Sequence, residues 1–70
     1  MDIWQIITKN LNDLINASGK TKFQIASELG IDHTNISKYL VGKSFPNYEN
    51  LQKLCLVLDC EYEDILGKLR

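Results

Sequence analysis

Apolar residues recur along this chain at the three- and four-residue spacings that place side chains on one face of an α-helix. The first such stripe consists of Ile3, Ile7, Leu11, Leu14 and Ile15. It runs into the polar stretch "NASG", whose Gly19 suits the left-handed backbone that often closes a helix. The pattern predicts a first helix over residues 3–15, terminated by residues 16–19.

A second, shorter helix is predicted directly after this stop. The stretch "TKFQ" has the form of a capping box, in which the Thr21 hydroxyl accepts from a backbone amide and Gln24 reaches back to the Thr21 amide. The apolar face of this helix consists of Ile25, Ala26 and Leu29. Gly30 is expected to end the helix after about two turns.

The third predicted helix separates apolar from polar side chains. Asp32 is a good N-cap for it, and Gly42 is the matching C-terminal stop. The side chains expected to face inward are Ile36, Tyr39 and Leu40. The opposite face carries His33, Thr34, Ser37 and Lys38. We therefore expect this helix to turn a hydrogen-bonding face away from the core.

Two further helices complete the predicted fold. Asn47 caps a fourth helix. Its apolar residues are Leu51, Leu54, Cys55 and Leu58. After a break at residues 59–60, "EYEDILGKLR" predicts a short fifth helix with Ile65 and Leu66 turned inward. No strand pattern or internal repeat competes, so the sequence predicts an all-α fold of five helices in one domain over residues 1–70.

The second and third helices, with the short joint between them, predict a helix-turn-helix. Ala26 supplies the small residue that a close approach of the two helices requires, and Gly30 supplies the sharp turn. Across residues 11–66 the chain resembles the Cro/XRE-type helix-turn-helix domain, which has the lambda-repressor-like fold. The residues that carry this resemblance are Thr21, Ile25, Ala26, Leu29, Gly30, Ile31, Ile36, Ser37, Gly42, Lys43, Pro46, Leu51, Leu54 and Leu58.

This resemblance implies a DNA-binding domain whose third helix enters the major groove. The implied base contacts are His33, Thr34 and Lys38, with Asn35 and Ser37 as second-rank candidates. Lys38 is the strongest of them, because lysine can donate to guanine O6 and N7. The implied phosphate contacts are Thr21, Lys22, Lys43 and Lys20.

The resemblance also implies a cytoplasmic, bacterial or phage-type transcriptional regulator that acts by occupying its operator. One domain of this size meets one half-site, so we expect a homodimer on a pseudo-palindromic site in double-stranded DNA. The candidate dimer surfaces are the N-terminal turn with Ile3, Trp4 and Ile6, and the end around Tyr62, Ile65 and Leu69. For Trp4 a place over the core of the first helix is favoured. Phe23 and Phe45 either cover core or touch the sugar-phosphate backbone.

The overall charge is unfavourable for DNA binding, since the chain has a net charge of -1 at pH 7 and a pI near 5.7. The charge is unevenly distributed, however. Residues 19–46 contain four lysines against Glu28 and Asp32, whereas residues 47–70 carry a net charge of -2. This polarity matters more than the total, although so modest a field predicts weaker and less salt-dependent binding than a strongly basic domain shows. Asp32 is the residue of the predicted third helix that is least compatible with DNA binding, because it brings a negative charge towards the phosphates.

Other classes of protein are disfavoured. No apolar run approaches the roughly 20 residues that span a membrane. Cys55 and Cys60 match no common zinc or redox spacing and are expected as reduced thiols in the core, with a metal site or redox switch as the lesser alternative. With one histidine and no glycine-rich phosphate loop, the chain has no catalytic constellation. We therefore expect no enzyme, cofactor, metal or small-molecule ligand.

One alternative function stays open at this point. A protein-interaction or antitoxin-type module could keep the same fold without binding DNA. The acidic balance of the chain and its exposed aromatic residues favour this alternative, and selection of binding sites from random duplex DNA discriminates between the two.

Overall fold

The computed structural model describes residues 3–67 and contains the five predicted helices. They are α1 (Ile3–Ser18), α2 (Lys22–Leu29), α3 (His33–Val41), α4 (Tyr48–Leu58) and α5 (Tyr62–Leu66). No β-strand occurs within residues 3–67, and the predicted all-α, five-helix fold is confirmed. In this described part of the chain, no helix combines the length and the apolar character needed to cross a membrane.

All five helices meet in one hydrophobic core. Each contributes one side chain that is fully buried, and these five are Leu11, Ile25, Ile36, Leu54 and Ile65. The other buried residues are Ile7, Ile15, Ala26, Leu29 and Tyr39. A core this small depends on every helix, because each of the five fully buried side chains comes from a different one.

The backbone of the joint between α2 and α3 is closed by its own hydrogen bonds. Gly30 lies in the left-handed region with φ of 74°. The amide of Ile31 donates to the Ala26 carbonyl at 3.0 Å, and the Gly30 amide donates to the Ser27 carbonyl at 3.2 Å. These two bonds satisfy carbonyls that the end of α2 would otherwise leave unpaired. The backbone of the joint is therefore fully hydrogen-bonded at the end of α2 before α3 begins.

Asp32 caps α3, as predicted. Its carboxylate accepts from the Thr34 amide at 3.0 Å. This hydrogen bond lowers the pKa of Asp32 from its ordinary value of 3.8. Thr21 and Asn47 cap α2 and α4 in the same way, each accepting from the amide three residues on. Asp32, whose charge is the least compatible with the predicted DNA binding, thus has a structural role at the start of α3.

Two asparagine side chains of α1 hold the ends of other helices. Asn12 donates to the Leu40 carbonyl in the last turn of α3 at 2.9 Å. Asn10 donates to the Ile65 carbonyl in α5 at 3.0 Å. Carbonyls in the last turn of a helix have no partner within that helix, so these side chains replace the missing bonds. They also join α1 to α3 and to α5, the second helix of the helix-turn-helix and the last helix of the chain.

Three details differ from the sequence-based expectations. Only the Thr21 half of the capping box forms, because Gln24 makes no return hydrogen bond to any described residue. The helix α5 ends at Leu66, before Gly67, and Leu69 lies outside the described residues. Ile65 is fully buried, so it is not available as part of a dimer surface.

Trp4 lies at the edge of the core rather than over its centre. Its side chain is 51% exposed. The indole packs against Phe45 with 4.7 Å between the ring centroids, and Phe45 in turn packs against the buried cluster. Trp4 therefore covers Phe45 and leaves about half of its own surface open to solvent.

Cys55 and Cys60 are free, half-buried thiols at the end of α4. The Cys60 amide donates to the Cys55 carbonyl at 3.0 Å, which closes the end of that helix. Burial raises the pKa of both thiols, that of Cys60 to about 11. A raised thiol pKa disfavours the reactive thiolate, in agreement with the expectation of packing residues.

We expect Ile36→Ala to lower the free energy of unfolding by about 2–5 kcal/mol, because it removes a fully buried side chain from the shared core. Leu56→Ala is the matched control, since Leu56 is 79% exposed and its truncation should change stability by less than about 0.5 kcal/mol. Urea denaturation of both variants measures the difference. Equal losses would contradict the central position of Ile36.

The Asp32 cap predicts a pH dependence of stability. Because the native pKa is lowered, the ionised carboxylate stabilises the fold above about pH 3.8 and this contribution is lost as the pH falls below that value. Asp32→Ala should therefore be less stable than the unmodified chain at neutral pH, with the gap narrowing in acid. Asp32→Asn keeps a capping oxygen without its charge and serves as the control. A gap that stays constant down to acid pH would refute the role of the ionised cap.

Candidate nucleic-acid interface

The helix α3 exposes its polar face because its apolar face is held in the core. Ile36 and Tyr39 are buried, and Leu40 is half-buried against the same cluster. Of the predicted base contacts, His33, Thr34 and Lys38 are exposed and Asn35 and Ser37 are half-buried. The predicted separation of the two faces of this helix is therefore found in the structure.

A hydrogen bond joins the predicted base-reading helix to the start of α2. The Lys22 ammonium donates to the Ser37 hydroxyl at 3.1 Å. An ammonium has three donor hydrogens, so Lys22 keeps two for other acceptors while this bond fixes its position. The structure thus brings together one residue predicted to contact phosphate and one predicted to contact a base.

Phe23 forms a second connection between the two helices of the motif. Its ring is 57% exposed and lies 4.6 Å from the His33 ring, centroid to centroid, at an interplanar angle of 50°. The Lys22 ammonium lies 5.5 Å from the centroid of the same ring, within the range of a cation–π contact. Phe23 therefore does not cover the core. It forms a row with Lys22 and His33 along the surface of α2 and α3.

The sequence alone does not predict the contacts of Phe23 with His33 and Lys22. The sequence signal is an aromatic residue early in α2, where exposure is expected, and it does not decide between covering the core and contacting the sugar-phosphate backbone. The contact with His33 spans ten positions of the chain and depends on the angle between two helices. No local pattern encodes that angle.

The exposed lysines of the motif differ in their surroundings. Lys38 lies in the last turn of α3, and Lys43 follows the C-terminal stop at Gly42. Neither forms an ion pair with a side chain in residues 3–67. Lys20, by contrast, donates to the Val57 carbonyl at 3.1 Å and pairs with Glu28 at 3.2 Å. Its ammonium thus bridges α2 and α4, apart from the row formed by Lys22, Phe23 and His33.

Two helix starts contribute to the electrostatics of this surface. Thr21, at the N-cap of α2, is exposed and its hydroxyl accepts from the Gln24 amide, which leaves its own proton free to donate. The amides at the start of a helix carry partial positive charge and favour an anion. At the start of α3 the Asp32 carboxylate already meets that charge, and it lies 3.9 Å from His33 Nε2. The start of α2 is therefore the more favourable of the two for a phosphate.

Comparison with known proteins identifies the family of the chain. A family model described as a helix-turn-helix domain matches residues 8–68. The chain is 34% identical over 62 residues to the cryptic phage CTXphi transcriptional repressor RstR of Vibrio cholerae. That match covers 89% of this chain and 55% of the relative, so the chain spans about half the length of the curated protein it matches.

A solved structure shares the fold as well. The solution structure of the SOS-response transcriptional repressor LexA from Eubacterium rectale superposes with a TM-score of 0.84 at 26% sequence identity. The superposition covers 96% of this chain and 73% of that one. By sequence and fold, the chain belongs to the helix-turn-helix domain family, as its sequence resemblance implied.

Proposed function

We propose that this domain binds double-stranded DNA sequence-specifically by inserting α3 into the major groove, and that it represses transcription by occupying its operator. The observation that carries the proposal is the polar face of α3, exposed beside the start of α2 while Ile36 and Tyr39 hold the helix in the core. A helix docked in this way places its N-terminal residues against base edges while the preceding helix meets the backbone.

The proposed base contacts follow from exposure and chemistry. Lys38 reads guanine through O6 and N7, and Thr34 offers a methyl group or a hydroxyl. His33 reads a base edge with its ring held against Phe23. Asn35 and Ser37, both half-buried, take part as secondary contacts.

The proposed phosphate contacts flank this helix. Lys22 and Thr21 act at the start of α2, where the free amides add to the attraction. Lys43 acts beyond the end of α3. Lys20 is the least favourable of the four, because it would have to leave Glu28 and the Val57 carbonyl to reach a phosphate.

We also propose that the protein works in the cytoplasm as a homodimer on a pseudo-palindromic site, as a binding protein rather than an enzyme. The surface of Trp4 and Val41, 51% and 66% exposed, supports an apolar contact between two copies. It adjoins the end of α3, since Trp4, Val41 and Phe45 line one open cavity of about 410 Å³. Such a contact would join two reading helices across a two-fold axis.

Selection of binding sites from random duplex DNA tests the proposal. We expect one motif with two-fold symmetry, its half-sites about one helical turn apart. If the folded protein enriches no sequence at low salt, that result would contradict the proposal and favour a protein-interaction module instead. Enrichment of a single, unsymmetrical site would retain DNA binding and reject the homodimer.

Two lysine variants separate base reading from phosphate binding. Lys38→Ala should cost about 1–3 kcal/mol on the selected site and relax the preference at one base position. Lys43→Ala should weaken binding to all sequences alike and reduce the salt slope by about one. Lys53→Ala, which removes a lysine from α4 that pairs with Glu49, is the control and should change neither. Titrations by fluorescence anisotropy measure all three, and a uniform loss for Lys38→Ala would refute its assignment as a base reader.

A further inference from the structure

The helices α4 and α5 expose an apolar surface that the proposed DNA contacts do not use. Leu56 is 79% exposed and Tyr48 is 71% exposed, although both lie on regular helix. Tyr48 stacks on Tyr62 of α5 with 6.4 Å between the ring centroids and an interplanar angle of 20°. Leu56 and Tyr62 also line one open cavity of about 380 Å³. We call this surface, formed by Tyr48, Leu56 and Tyr62, the α4–α5 face.

The tyrosine pair gives this face a defined shape. The neighbouring Tyr48 side chain raises the pKa of the Tyr62 phenol, and the two rings lie nearly parallel, with 6.4 Å between their centroids. Tyrosine supplies a large contact area with few rotatable bonds, and it is enriched where proteins bind one another. The face therefore presents two adjacent aromatic rings to a partner.

Acidic side chains border the α4–α5 face. Asp59 and Glu61 line the same cavity as Leu56 and Tyr62. Residues 47–67 contain five acidic residues and a single basic one, Lys53. That lysine pairs with Glu49 at 3.5 Å, so its charge is already matched. The border of the face is consequently negative, which repels DNA phosphates.

A second copy of this chain fits the α4–α5 face poorly. In a two-fold symmetric dimer the same patch meets itself, so Asp59 and Glu61 of each copy would approach the acids of the other. Like charges brought together in an interface cost free energy and select against that partner. A basic surface with an apolar side chain at its centre complements both the charge and the apolar groove.

From this charge complementarity we propose that the α4–α5 face docks a basic, amphipathic segment of a partner protein. Apolar side chains of the segment lie in the cavity against Leu56 and Tyr62, and its lysine or arginine side chains pair with Asp59 and Glu61. The proposal does not depend on DNA binding, because it uses none of the residues assigned to DNA contacts.

The probe for this proposal is a short amphipathic helical peptide with leucine on one face and lysine on the opposite face. It is labelled for fluorescence anisotropy. A second peptide with glutamate in place of lysine reports non-specific apolar binding. We expect the full chain to bind the lysine peptide with an affinity that falls as salt is added. We expect no binding of the glutamate peptide. In an amide NMR titration the shifts should fall on residues of α4 and α5.

Three variants locate the contact. Leu56→Ser should weaken peptide binding about tenfold without affecting folding, since the side chain is exposed. Asp59→Asn should weaken binding and flatten its salt dependence, and asparagine suits the left-handed backbone at this position, where φ is 52°. Asp13→Asn, which removes an exposed carboxylate from α1, is the matched control and should bind as the unmodified chain does.

Several outcomes would overturn the proposal. They are no binding of the lysine peptide at low salt, equal binding of the glutamate peptide, or NMR shifts centred on α1 or α3. A dimer in sedimentation experiments that Leu56→Ser converts to monomer would assign the face to self-association instead. DNA binding by Leu56→Ser should match that of the unmodified chain, so failure here and failure of the DNA proposal are distinguishable.

Discussion

The burial of Ile36 is the constraint on which the rest of this molecule depends. It is the fully buried side chain of α3, and the other four helices each contribute one such residue to the same core. With Tyr39 it fixes which side of α3 meets the protein, and therefore which side meets solvent. In a chain of this size no second core can compensate if that contact is lost. The stability of the fold and the exposure of the polar face of α3 thus rely on the same side chain.

Hydrogen bonds from side chains hold both ends of α3, in addition to the packing of its apolar face in the core. Asp32 begins α3, and Asn12 holds a carbonyl in its last turn, so the helix is tied at both ends by side chains from outside it. The cap also explains how an acidic residue is accommodated in a segment that is otherwise rich in lysine. Its charge meets the partial positive charge of the α3 amides, where it stabilises the fold instead of facing outward unpaired.

The slightly acidic total charge of the chain conceals two surfaces of opposite character. Lysines without an acidic partner among the described side chains lie at the end of α3 and just beyond it, whereas the acids gather on α4 and α5. The chain therefore belongs to the helix-turn-helix domain family while carrying a net charge of -1. The local field at each surface, screened over about 8–10 Å by physiological salt, is what an approaching partner meets.

The sequence by itself determined the helices, the N-caps Thr21, Asp32 and Asn47 and most of the inward-facing residues, because each depends on residues within about four positions of one another. The periodicity that placed Ile36 inward and His33 outward needs no knowledge of other helices. Only the tertiary structure decided the ring contact of Phe23 with His33, the bond from Lys22 to Ser37 and the engagement of Lys20 with α4. It likewise decided that Ile65 is buried and that Asn10 and Asn12 serve other helices. Those contacts join residues far apart in the chain, and they form only once the shared core has set the angles between helices.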